Sequence, residues 1–169
     1  MPEKILIIST SYSDIESELN EFIMVLNTIG FQVDQADNIS SEHLKNPSFI
    51  QQYKYFFCII SNSWQSKISQ EDFIKIVELI NNTENKYWTV CDQKTIYART
   101  LLRELDDLND LPSKFEKHYV YFLIHIYHIF TKDHISNPDE RVGNWVHPYR
   151  VIEDINKYFS TQFEYIVNE

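Results

Sequence analysis

The chain has 169 residues, of which 43% are hydrophobic and 15% aromatic, enough apolar material for one domain with a core and too much for a disordered chain. Fifteen Lys and Arg against 25 Asp and Glu give a formal charge of −10, and no basic stretch is longer than a pair, which excludes a phosphate-binding nucleic-acid face and docking on anionic lipid. No apolar run approaches the roughly 20 residues of a membrane span, no basic-then-apolar leader opens the sequence, and Cys58 and Cys91 read as small reduced core residues, so a cytosolic location is expected.

Lys4 to Ile8 is almost uninterrupted apolar sequence, the pattern of a strand buried on both faces. Asp14 to Ile29 follows as an amphipathic helix with Ile15, Leu19, Phe22, Ile23, Leu26 and Ile29 on one face. Ser13 or Asp14 is placed to cap it, and Gly30 to end it. Phe31 to Val33 reads as a brief second strand, Asp34 to Ser41 as a polar loop, and a short helix starts near Ser41. Tyr55 to Ile60 is the most apolar run and reads as the central strand. Ser69 to Asn81 is a second amphipathic helix, Tyr87 to Cys91 a fourth strand, and Thr95 to Leu108 a helix after it. His118 to Phe130 is apolar almost all round; its length of thirteen residues favours a helix over a strand. Lys132 to Val142 reads as a mobile loop, Asn144 to His147 as a last strand, and Tyr149 to about Phe163 as the closing helix. Strands alternating with helices of this length imply right-handed crossovers and a parallel sheet.

In such a sheet, ligands collect at the C-terminal strand ends, where the strand order reverses. The first strand runs into Ser9-Thr10-Ser11-Tyr12, the third into Ser61-Asn62-Ser63-Trp64, and the fourth into Asp92; Asp37 follows the second. These hydroxyls, amides and rings suit a ribose, a phosphate or a flat base, and they equally suit ordinary loops and caps. Gly30 and Gly143 are the only glycines, so glycine-rich phosphate loops are excluded. Ser69 and Asp72 read as a capping arrangement, which leaves Glu71 as the candidate catalytic carboxylate. His125 and His128, with His118 two turns earlier, lack an HExxH pattern or a cysteine pair, so core or interface roles are expected and no metal site. Asp106, Asp107 and Asp110 belong to a solvated acidic stretch. Trp145 or His147 could wall the ligand edge, although core burial of the indole is the stronger expectation.

Ile8 to Glu18 resembles the opening of a TIR-like bacterial family of unknown function, which begins with a strand and then Ser-Ser-Thr-Phe-x-Asp-Leu-x-x-Glu-Arg. Cys91-Asp92-Gln93-Lys94 is similar to that family's Val-Asp-Lys, and Asn144-Trp145-Val146-His147-Pro148-Tyr149 to its Asn-Trp-x-Phe-Pro-Phe close. The resemblance spans nearly the whole chain in order. It implies a flavodoxin-like sheet of order 2-1-3-4-5 and a helix over His118 to Phe130. It also implies a signalling or defence domain that binds NAD or a related nucleotide; the position of the residues at the strand ends makes Ser9, Thr10, Ser11, Tyr12, Asp37, Ser61, Asn62, Trp64 and Asp92 the expected contacts. TIR enzymes that cleave the nicotinamide–ribose bond use a helix glutamate, and Ile74 stands where it would fall; Glu71 could replace it only after a register shift. No cofactor is required on this reading. The other expectation is a non-catalytic TIR-like module acting by self-association or partner binding, with an interface drawn from Tyr119, Tyr121, Tyr127 and Phe130.

Overall fold

The computed structural model describes residues 2–13, 15–102, 117–131 and 146–167, without the side chains of 117, 118, 163 and 165–167. Asp14, Asp106, Asp107, Asp110, the 132–142 loop, Asn144 and Trp145 lie outside the described residues.

Five parallel strands form one sheet in the order β2-β1-β3-β4-β5: β1 is Lys4–Ser9, β2 Gln32–Gln35, β3 Tyr55–Ile60, β4 Lys86–Asp92 and β5 Val146–Tyr149. The helices are α1 (Glu16–Thr28), α2 (Ser41–Leu44), α3 (Pro47–Ile50), α4 (Gln70–Asn81), α5 (Gln93–Leu102), α6 (Lys117–Thr131) and α7 (Ile152–Val167). The arrangement is a flavodoxin-like three-layer α/β fold.

Strand parity builds the layers, because successive side chains leave a strand on opposite faces. Ile5, Ile7, Tyr55, Phe57, Ile59 and Val90 meet Leu19, Phe22 and Leu26 of α1 and Ile155 and Phe159 of α7. Leu6, Ile8, Phe56, Cys58, Ile60 and Cys91 meet Phe73, Ile76, Val77 and Ile80 of α4 and Leu123, Ile126 and Phe130 of α6. β1, apolar from Ile5 to Ile8, and β3, apolar throughout, are central in the sheet and buried along nearly their whole length.

Several local readings shift. The stretch from Asp34 to Ser41 is not all loop: β2 continues to Gln35, and Ala36–Asn38 makes a 3-10 turn. α3 was not expected; Asn46 caps it, accepting from the Ser48 N–H at 3.0 Å, with Pro47 opening the helix. The expected Ser13 cap of α1 is absent, since Ile15 holds the N-cap position and no side chain accepts there. Ser13 Oγ instead donates to Gln65 Oε1 at 2.5 Å. Phe130 is buried against Tyr87, so of the four aromatics expected at an interface only Tyr121 is exposed, at 58%. Both cysteines are buried and unpaired, and burial raises each thiol above its ordinary range. No described helix is long and apolar enough to cross a membrane.

Candidate functional site

The central crevice at the C-terminal edge, between β1 and β3, is closed by its own hydroxyls. Ser9 Oγ donates to the Ser11 carbonyl at 2.5 Å and accepts from the Ser11 N–H at 3.3 Å. Thr10 Oγ1 accepts from the Ser61 N–H at 2.9 Å and lies 3.1 Å from Ser61 Oγ. Ser61 Oγ donates to the Ser63 carbonyl at 2.8 Å, and Thr95 Oγ1 donates to the Ser61 carbonyl at 3.0 Å. All of these residues are 5% exposed or less. Strand ends leave backbone groups without ladder partners, and buried ones must be satisfied. Here the short hydroxyl side chains do that, and they stitch the loops after β1 and β3 together.

Tyr12 performs the same service for the end of β1. Its hydroxyl donates to the Ile7 carbonyl at 3.1 Å and accepts from the Ser9 N–H at 3.2 Å. Burial, with the Asp37 carboxylate beside it, pushes the phenol well above its ordinary range, so it stays protonated.

The remaining expected residues divide. Trp64 is half-buried, with Phe73 at 5.1 Å and Phe122 at 4.7 Å packed edge-on against its indole. Glu71 is 80% exposed and accepts from Lys75 at 2.6 Å, one turn along α4. Asp92 accepts from the Lys94 N–H at 2.7 Å at the start of α5, and Asn62 is half-buried in the turn between Ser61 and Ser63. His147 stacks on Tyr158 of α7 at 4.4 Å. His128 accepts from Arg99 at 2.8 Å, and His125 is exposed. Among the described residues no group of three or more His, Cys, Asp or Glu is placed to hold a metal ion.

What opens at this edge is a cleft of about 400 Å³ on the β2 side of the crevice. Tyr12, Glu16, Leu19 and Asn20 line it from the β1 loop and α1; Gln35, Asp37 and Asn38 line it from the end of β2; Gln65 and Lys67 line it from the β3 loop. Asp37 holds its walls together, accepting from Ser66 Oγ at 2.5 Å and from the Lys67 N–H at 3.1 Å. The cleft thus brings together Tyr12 and Asp37 of the expected set, and neither Glu71, Trp64 nor Asp92 lines it. Sequence reasoning missed Glu16, Asn20, Gln35, Asn38, Gln65 and Lys67, although Gln35 and Asn38 flank Asp37 in the chain.

A second cleft of about 540 Å³ lies at the opposite edge, lined by Pro47, Ile50, Gln51, Leu79 and the 82–85 turn. It sits at the N-terminal strand ends, away from where parallel sheets bind ligands. No protein-family model matches the chain, and no curated protein matches it in sequence.

Proposed function

We propose that the chain is a TIR-like signalling or defence domain that binds NAD or a related nucleotide in the Tyr12–Asp37–Lys67 cleft. The observation that carries this reading is the position of the cleft. It is a polar recess beside the β1/β3 switch point of a 2-1-3-4-5 parallel sheet, where this architecture takes ligands. Turnover at Glu71 is not part of the reading, because that carboxylate is solvated, paired with Lys75 and outside the cleft lining. Calorimetric titration with NAD tests it, with chromatography for released nicotinamide. Binding by the wild type, retained by Glu71→Ala and lost in Gln65→Ala/Asn38→Ala, is expected. Absence of binding and of any thermal shift at millimolar NAD rejects the reading.

The alternative, a non-catalytic TIR-like interaction module, draws on a different observation. Met24, Val25 and Ile29 of the α1 end are 69%, 57% and 49% exposed, a cluster of apolar side chains facing water. Concentration-dependent mass in light scattering, abolished by Met24→Ser/Val25→Ser, supports self-association; a strict monomer counts against it.

A further inference from the structure

Resting on the nucleotide reading, we infer that the cleft grips the nucleoside end of its ligand and rejects phosphate, so that a ribonucleoside binds at least as tightly as its 5′-phosphate.

The groups that usually cradle phosphate are occupied or missing here. The hydroxyls of Ser9, Thr10 and Ser61 are buried and turned onto backbone atoms or onto one another. The first turn of α1, whose amides would favour an anion, already carries Glu16 and Glu18. Neither glycine falls in a loop after β1, β2 or β3, so no glycine-rich nest forms there. Among the lining residues, Lys67 is a single cation against the carboxylates of Glu16 and Asp37, in a chain of formal charge −10. A dianionic phosphate would enter against that field.

What the cleft does present fits an uncharged, hydroxyl-rich group. Asn20, Gln35 and Asn38 each offer a donor pair and an acceptor, and Gln65, whose Oε1 accepts from Ser13 Oγ, offers its amide donors, the complement of ribose hydroxyls and of a base edge. Tyr12, held at its hydroxyl by the β1 backbone, adds a half-buried ring. Asp37, engaged with Ser66 and the Lys67 N–H, fixes the spacing of the β2 end, which bears Gln35 and Asn38, from the β3 loop, which bears Gln65.

The experiment is calorimetry at low ionic strength with adenosine and nicotinamide riboside, each against its own 5′-monophosphate. Each nucleoside should bind as tightly as, or more tightly than, its phosphate. Added salt should raise the affinity of the phosphate and leave that of the nucleoside flat, since screening removes a repulsion. Glu16→Lys, at an exposed helix position, should improve phosphate binding relative to nucleoside about tenfold. Tighter binding of the monophosphate by the wild type overturns the inference and leaves nucleotide binding intact, as does an unchanged ratio in Glu16→Lys. Binding of neither class at millimolar concentration overturns both.

Discussion

Tyr12 shows how a side chain suited to a ligand can be consumed by the fold. Its hydroxyl closes the end of β1 by bonding both the Ile7 carbonyl and the Ser9 N–H. Tyr12→Phe keeps the ring in place and leaves those two backbone groups short of a partner. Stability should fall by about 1–3 kcal/mol, read as a lower denaturant midpoint at unchanged slope. An unchanged midpoint would show that water replaces the phenol at no cost. The hydroxyl cluster from Ser9 to Ser11 and at Ser61 was legible in the sequence as a cluster, but its direction was not. A serine at a strand end can turn out to a ligand or back to its own backbone, and only the loop geometry decides. Trp64 has the same ambiguity, resolved when Phe73 and Phe122 close on its indole.

Element boundaries were legible wherever a backbone constraint marks them. Gly30 follows α1 with φ +103°, and the Phe31 N–H reaches back to the Leu26 carbonyl at 3.1 Å while the Gly30 N–H reaches that of Asn27 at 3.2 Å. This is a Schellman ending, in which glycine supplies the left-handed residue. A Cβ at Gly30 would meet no atom within 4 Å, so the penalty for Gly30→Ala is conformational alone. We expect a loss of about 1 kcal/mol in urea denaturation; no loss would mean that the turn relaxes freely. At the start of α4, Ser69 caps as expected, accepting from the Asp72 N–H at 3.2 Å. Asp72 goes further, accepting from Lys45 of the α2 end at 2.8 Å. That hydrogen bond holds the Asp72 carboxyl below its ordinary pKa. A depressed carboxyl stabilises the fold above its unfolded pKa and loses that contribution as pH falls through the folded value. The difference in stability between wild type and Lys45→Met should therefore be present at pH 7 and shrink away in acid, below about pH 4. A difference that persists undiminished at pH 2 would place the effect in packing of the lysine stem. The start of α1 escaped the sequence because Ser13, a good cap by type, bonds Gln65 across the edge. The Asn46-Pro47 signal for α3 was present and is clear once seen, an N-cap followed by a proline in the first turn.

At the scale of the molecule, the sheet was legible because its two central strands carry runs of apolar side chains on both faces of the pleat, which only burial on both faces explains. The order of strands was implied by family resemblance and not by periodicity, since hydrophobic pattern records which residues are buried and not beside what. The same limit hid the cleft, whose lining comes from three segments far apart in the chain and carries no local pattern. Long-range packing also decides how the last helix belongs to the fold. Phe159 of α7 stacks on Phe57 of β3 at 4.3 Å with planes 13° apart, and Phe22 of α1 lies 5.7 Å from both. Phe57 and Phe159 are 0% exposed. This triad joins a central strand to both helices of one layer, so its loss should reach well beyond α7. Phe159→Ala removes the stack and leaves a cavity against the sheet, at a cost of about 3–5 kcal/mol. That is a large share of the roughly 5–15 kcal/mol that holds a domain folded. Phe159→Leu, which keeps most of the volume, should recover more than half of the loss. Both are measured by chemical denaturation followed through far-ultraviolet circular dichroism. If Phe159→Ala costs less than about 1 kcal/mol with a single transition, α7 is an appendage and the α1–β3–α7 layer does not fold as one unit.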